Sequence, residues 1–270
     1  MSVLSAHEVQ VVFNQGEPEE VEAIRRISFE LEKGETLAIV GPSGCGKSTL
    51  FNAIAGLIEP SAGSVFVEGR RVDRAIGHVG YMLQKDLLLP WRSVLDNILL
   101  GLEVRGAVTT TDRERVLDMV RRYGLAGFEN AKPSQLSGGM RQRVAFMRTL
   151  AIDPGVILLD EPFSALDFQT RLVLQAEVME VIRERGKSVI LVTHDIGEAI
   201  TMADRIIVLT NRPAEVKSVH RIDLQASERN PIKLRSSEKF NQLFQTIWSE
   251  LGIQIGAMRN NSEPVTASLE

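Results

Sequence analysis

Gly41-Pro42-Ser43-Gly44-Cys45-Gly46-Lys47-Ser48-Thr49 is a segment suited to gripping phosphate. It fits G-x-x-x-x-G-K-[ST], the phosphate-binding P-loop pattern. Glycines let the backbone curl until successive N–H groups point at one anion, and a helix N-terminus behind them adds its positive dipole end. In that chemistry Lys47 reaches the β/γ-phosphates of a nucleotide and the Ser48 hydroxyl ligates Mg2+. Val156-Ile157-Leu158-Leu159-Asp160-Glu161 is an apolar run ending in two adjacent carboxylates. Buried as a strand beside the P-loop strand, it would put Asp160 near the Mg2+ shell and Glu161 where it polarises a water for in-line attack on the γ-phosphate. Leu136-Ser137-Gly138-Gly139-Met140-Arg141-Gln142-Arg143 opens a helix and supplies a second anion-binding terminus. Each segment alone has a plain alternative: a glycine-rich turn, a solvated acidic turn, a common helix start.

The elements that must position these residues are legible as short patterns. Thr36–Val40 is an apolar strand entering the P-loop, and Leu50–Ala55 reads as the start of a helix leaving it. His7–Phe13 and Arg25–Leu31 carry β-like patterns around the acidic turn Gly16–Glu20, and Ser64–Glu68 and Gly77–Met82 are further strand candidates. Helical spacing dominates between Gln84 and Leu136, over Val94–Leu102 and Asp112–Tyr123, and again over Arg141–Leu150. Val156–Leu159 and Val189–Val192 are continuous apolar runs of the doubly covered parallel type, with helical Phe168–Glu184 between them as a crossover. Arg205–Leu209 and Glu215–Ile222 close the pattern; Ser237–Leu251 is an amphipathic helix candidate and Asn260–Glu270 a polar tail. The expected architecture is an α/β P-loop core over residues 1–224, with an antiparallel β subdomain and a helical insertion at about 85–150. Residues 225–270 form a C-terminal helical extension and tail.

Composition excludes several classes. The 270 residues are 44% hydrophobic and 24% charged, ordinary for a globular protein, and the net charge of -4 offers no basic field for nucleic acid. Cys45 is the single cysteine, so no intramolecular disulfide forms and a reducing compartment is expected. The N-terminus lacks signal-peptide character, and no apolar run approaches the roughly 18 residues that span a bilayer. The thiol of Cys45, at a helix N-terminus, is either reactive toward a maleimide or an inert small residue in the turn; the sequence leaves both open.

The order P-loop, Gln84, Leu-Ser-Gly-Gly, Leu-Leu-Asp-Glu-Pro, Ser164-Ala165-Leu166-Asp167, Thr193-His194-Asp195 resembles the ATP-binding-cassette (ABC) ATPases over roughly residues 5 to 224. The resemblance implies that Gln84 senses the γ-phosphate and Mg2+ and that Ser137, Gly138 and Gly139 form the signature motif. It further implies that Asp167 lies in a loop linking two sites, that His194 is a switch histidine at the γ-phosphate, and that Phe13 stacks on adenine. Phe13 replaces the usual tyrosine and would otherwise be a core strand residue. Met140 stands where glutamine is commonest, which leaves the helix N–H groups and Ser137 intact. The family also implies a homodimer holding two ATP molecules, each closed between one subunit's P-loop and the other's signature.

Leu88-Leu89-Pro90-Trp91 with Val94-Leu95-Asp96-Asn97, the Leu-Ser-Gly-Gly-Met-Arg-Gln-Arg signature and Asn211-Arg212-Pro213 look like the nitrate/sulfonate/taurine-type importer ATPases, whose relatives handle thiamine-precursor pyrimidines. That branch implies transmembrane permease subunits, an extracytoplasmic solute-binding protein acting through them, and a place on the cytoplasmic face of the membrane. Trp91 is then either a buried subdomain anchor or a wall of the groove that receives the permease, and the apolar run Leu87–Trp91 is the expected contact. The competing reading is a soluble non-transport ABC ATPase of ribosome or DNA-repair type. Such proteins usually carry two cassettes, long inserts or basic surfaces, and this chain shows none of these.

Overall fold

Three five-residue strands, β3 (Thr36–Val40), β7 (Val156–Asp160) and β8 (Ser188–Val192), have every residue buried. That is what a parallel sheet covered on both faces demands. The computed structural model describes residues 1–72, 77, 79–224, 229 and 231–252. With β6 (Gly80–Met82), β9 (Arg205–Leu209) and β10 (Val216–Arg221), these strands form a six-stranded sheet in the order β10-β9-β3-β8-β7-β6. Only β10, at the edge, runs antiparallel.

Alternate side chains of these strands feed separate cores. Leu158, Ile190 and Ile39 pack with α1 (Lys47–Ile54) and an antiparallel sheet, whereas Leu159, Leu191 and Val189 pack with the helical insertion. Ala38 and Val40 join α6 (Ile196–Met202) and the C-terminal helix. The antiparallel sheet has the order β2-β1-β4-β5, from β1 (Ser2–Phe13), β2 (Val21–Glu32), β4 (Ala62–Val67) and β5 (Arg70–Arg71). β1 and β2 run longer than the alternation predicts. Register shifts between Ala6 and Val9, with Glu8 and Arg26 at φ of 45°, break the two-residue period that pattern reading depends on.

The insertion between β6 and β7 comprises α2 (Val94–Arg105), α3 (Thr110–Arg122), a 3-10 turn at Pro133–Gln135 and α4 (Gly138–Ala151). Ser93 caps α2, and Thr109 with Asp112 forms a reciprocal capping box on α3. α4 starts at Gly138, not Arg141, because Ser137 already caps it; α1 likewise starts at Lys47, so the lysine belongs to the helix's first turn.

One expected adjacency is wrong. β7 does not lie beside β3; β8 stands between them. The crossover through α5 (Phe168–Glu184) returns the chain to the neighbouring position, and that position is next to the P-loop strand. Beyond β10, α7 (Pro231–Leu234) and α8 (Glu238–Glu250) fold back onto α6, with Phe240, Leu234 and Ile247 in its core. The expected tail Asn260–Glu270, residues 225–228 and 230 of the extension, and position 78 of the Gly77–Met82 strand lie outside the described residues. Among the described residues no helix is long and apolar enough to cross a membrane.

Candidate functional site: a nucleotide cleft at the strand ends

The P-loop follows β3, Thr193-His194 follows β8, Asp160-Glu161 closes β7 and Gln84 follows β6. The chemistry-bearing residues therefore leave the carboxyl ends of four adjacent strands, where open α/β sheets bind ligands. They surround a cleft of about 610 Å³ lined by Ser43, Gly44, Gly46, Lys47, Ser48 and Thr49 of the loop, with Gln84, Glu161, His194 and Arg212.

Within the loop, Gly44 and Gly46 take φ of 71° and 126°, backbone that L side chains rarely adopt. Lys47 is buried and its Nζ donates to the carbonyls of Gly41 and Pro42, both at 2.9 Å. The charge is thus held at the loop by neutral acceptors that a phosphate oxygen outcompetes. Ser48 Oγ stands 3.5 Å from Asp160 Oδ1 although β8 separates their strands, because the first turn of α1 reaches over the sheet end. Asp160 is buried, and burial pushes its carboxyl above the ordinary range; Ser48 and Tyr81 hydrogen bonds oppose the shift and the Glu161 charge adds to it. The Lys47 charge at the loop also opposes the shift. A hydroxyl and a buried carboxylate side by side are an oxygen donor set of the kind a hard divalent cation takes.

Glu161 has a left-handed backbone (φ 46°), with its N–H donated to the Val192 carbonyl at 2.8 Å. This conformation is costly for a non-glycine residue and is found at functional sites. Its Oε2 accepts from Gln84 Nε2 at 2.9 Å and lies 3.3 Å from His194 Nδ1. Three residues drawn from three strand ends thus meet on one carboxylate oxygen facing the P-loop.

The cleft does not contain every expected residue. Gly41 lies beneath the loop as acceptor for Lys47. Cys45 is 2% exposed, so of the two readings of its thiol the inert packing role is the one the geometry accommodates. Phe13, at the end of β1, is 39% exposed and outside the cleft lining. Ser137, Gly138 and Gly139 are also absent from the lining. Ser137 accepts from Met140 N, and Gly139 lies so close to α5 that a Cβ would come within 2.8 Å of Thr170 Cγ2. Asp167 caps α5 through Thr170 N at 3.0 Å and does not reach the cleft of its own chain. Trp91 is 69% exposed, which removes the buried-anchor reading.

Two residues enter the site in roles the sequence does not assign them: Arg212 stands there only as part of a branch motif, and no motif singles out Tyr81. Arg212 Nη2 donates to the Gly44 carbonyl at 2.9 Å from the turn after β9; the available signal was an arginine just past the strand that pairs with the P-loop strand. Tyr81 Oη reaches both Asp160 Oδ2 (3.3 Å) and Asn52 Oδ1 (3.2 Å), and burial pushes its phenol well above the usual value. Its place on β6, next to β7, is what brings it there.

A P-loop, a buried Asp160 with the partly exposed Glu161 at the end of a strand two positions away in the same sheet, and a polar cluster at the strand ends define a P-loop nucleoside triphosphatase. The chain belongs to the ABC transporter ATP-binding family: that family's profile matches residues 24–164. The chain is 46% identical over 243 residues (90% of this chain, 94% of the relative) to the uncharacterized ABC transporter ATP-binding protein YtlC of Bacillus subtilis (strain 168). It is 42% identical over 215 residues (80% and 82%) to the taurine import ATP-binding protein TauB of Yersinia pestis bv. Antiqua. Among solved structures, the dimeric structure of MJ0796, a bacterial ABC transporter cassette, superposes with a TM-score of 0.72 at 33% identity, covering 82% of this chain and all of that one. A post-hydrolysis state of the same cassette bound to ADP and Pi scores 0.72 at 32% identity. The chain is an ATP-binding ATPase of this family.

Proposed function

We propose that this ATPase works as a homodimer on the cytoplasmic face of the membrane and energises solute import through transmembrane permease subunits fed by an extracytoplasmic binding protein. The solute class is that of the nitrate/sulfonate/taurine group. The observation that carries the dimer is the separation of the two anion-binding helix ends. The cleft has its P-loop, acid and polar cluster, while Ser137 caps its own helix, Gly139 packs against α5, and none of Ser137–Gly139 lines it. A second copy must therefore bring its Ser137 end to the cleft.

In this reading ATP exchanges the Gly41 and Pro42 carbonyls on Lys47 for β/γ-phosphate oxygens, and the loop N–H groups from Ser43 to Thr49 hold the phosphates. Ser48, Asp160 and Gln84 hold Mg2+, which supplies charge neutralisation at the phosphates. Glu161 orients and deprotonates the attacking water, with Gln84 and His194 reporting the γ-phosphate to it. Phe13 flanks the adenine, and Asp167 links the site to its twin. The partner's Ser137 and α4 N-terminus complete the charge balance only in the closed dimer. Loss of the γ-phosphate removes that bridge and lets the dimer open.

Support for the permease contact comes from exposed apolar side chains beside Gln84: Leu87 at 53% and Trp91 at 69% exposure. Leu89 is half-buried, its backbone N–H and carbonyl bonded to the Asn97 side chain, so Trp91 is the cleaner probe. Trp91→Glu, reconstituted with its permease in proteoliposomes, should cut ATP-driven uptake of taurine or nitrate by about tenfold or more while the isolated ATPase rate stays within about twofold. Normal uptake by the folded variant would move the docking surface elsewhere.

A further inference from the structure

The turn carrying His194 is held from behind by the C-terminal segment. Asp195, the N-cap of α6, has a guanidinium on each side. Arg171 Nη1 donates to its Oδ2 at 3.3 Å, and Arg235 Nη2 stands 4.0 Å from its Oδ1. Arg171 also donates to the Leu166 carbonyl at 3.1 Å, so one side chain already ties the loop before Asp167 to the His194 turn. Arg235 comes from beyond β10, just past α7. Its guanidinium carbon sits 5.8 Å from the ring centre of Phe168, the first residue of α5, and 5.9 Å from that of Phe240 on α8.

Two features say this arginine is not an idle surface charge. Its Nε and Nη2 are buried with no hydrogen-bond acceptor among the described residues, an arrangement that costs free energy unless another state satisfies it. Gly197, on the first turn of α6, faces it so closely that a Cβ would lie 2.9–3.0 Å from the guanidinium. The helix is thus cut away where the guanidinium rests. A movement of the His194 turn by about an ångström toward α7 would bring Asp195 within hydrogen-bond distance of Arg235.

We propose that Arg235 is a positioning residue for hydrolysis. It acts through Asp195 and Phe168 on the His194 turn and the Asp167 loop, and it makes the C-terminal segment 231–250 part of the catalytic switch. The missing hydrogen bond forms in the closed, hydrolysing arrangement and is open in the resting one. The C-terminal segment therefore biases the switch without touching nucleotide, and any ligand or partner that displaces it lowers turnover.

The test uses the full chain and its ATPase activity, so it stands apart from whether the subunit drives import. Arg235→Ala should lower kcat about five- to tenfold with the KM for ATP within about twofold, and Arg235→Lys, which keeps the charge but not the planar group, should fall between. Gly197→Ala, whose methyl displaces the guanidinium, should cost a similar factor in the native background and little in Arg235→Ala, where the space is free. Melting temperatures report folding, and if Arg235→Ala fails to fold, the same cycle is run with Arg235→Gln. The proposal fails if folded Arg235 variants keep native kcat, if kcat and KM move together, or if Gly197→Ala costs as much without the arginine as with it.

Discussion

The strand-end cleft and the Ser137 end of α4 both present a helix N-terminus, yet they are built differently. In the cleft, acids are held in states they would not choose. Asp160 is buried beside Glu161, and Glu161 sits on left-handed backbone. Behind them Glu198 is 3% exposed, with one oxygen accepting from Thr193 Oγ1 and the other unpartnered among the described residues. At the Ser137 end the unpartnered buried atoms among the described residues, Gln142 Oε1 and Arg143 Nε, lie about one turn along α4, not at its terminus. Ser137 makes an ordinary cap, and Arg141 pairs with the partly exposed Asp86 at 3.1 Å. In the proposed dimer this contrast is a division of labour: the cleft would carry the reactive groups, and the Ser137 end would be the donor array that meets another chain's phosphate.

The largest test of that contrast removes the basic oxygen and keeps the shape. Glu161→Gln should lower ATP turnover by about a hundredfold or more while preserving ATP binding, and should accumulate an ATP-bound dimer on size-exclusion chromatography. Turnover at the native rate would take Glu161 out of the base role and leave the cleft no more specialised than the Ser137 end.

A smaller effect sharpens the contrast by measuring what one buried acid costs. Burial, with the nearby Asp195 charge adding and the Thr193 hydrogen bond opposing, raises the Glu198 carboxyl to about 8. Below the unfolded value of 4.5 both states hold the proton and there is no penalty. As pH rises from there toward 8, the unfolded chain ionises while the folded one must keep its proton, so stability falls across that window. Glu198→Gln should therefore raise the melting temperature at pH 8, on the order of 5 °C, with the gain shrinking toward pH 5. A gain independent of pH would mean the carboxyl is not held protonated.

Much of this was readable in advance where local pattern carries the information. Arg205–Leu209 and Phe168–Glu184 coincide with β9 and α5, because a continuous apolar run and a helical spacing are each properties of a few neighbouring residues. The P-loop was readable because its glycines and lysine serve one backbone shape. What stayed hidden depends on residues far apart in sequence. The insertion of β8 between β3 and β7 is set by the crossover, and no single strand's composition reports its neighbour. Arg212 meets Gly44, and Arg235 meets Asp195, only after the last strand and the C-terminal helices have packed. The bend at Glu161 has no signature either, since the residue type gives no hint of a left-handed backbone.

The central claim, that each working site takes its P-loop from one chain and its Ser137 end from another, is tested most directly by mixing two defective subunits. Lys47→Ala disables the cleft and Ser137→Arg disables the donor end, so each alone should hydrolyse ATP at a small fraction of the native rate. In a mixed dimer one site pairs an intact Lys47 with an intact Ser137, and the other carries both defects. With random exchange of subunits, ATPase activity of the equimolar mixture should rise to about a quarter of native. Activity equal to the mean of the two separate variants would contradict a site shared between chains.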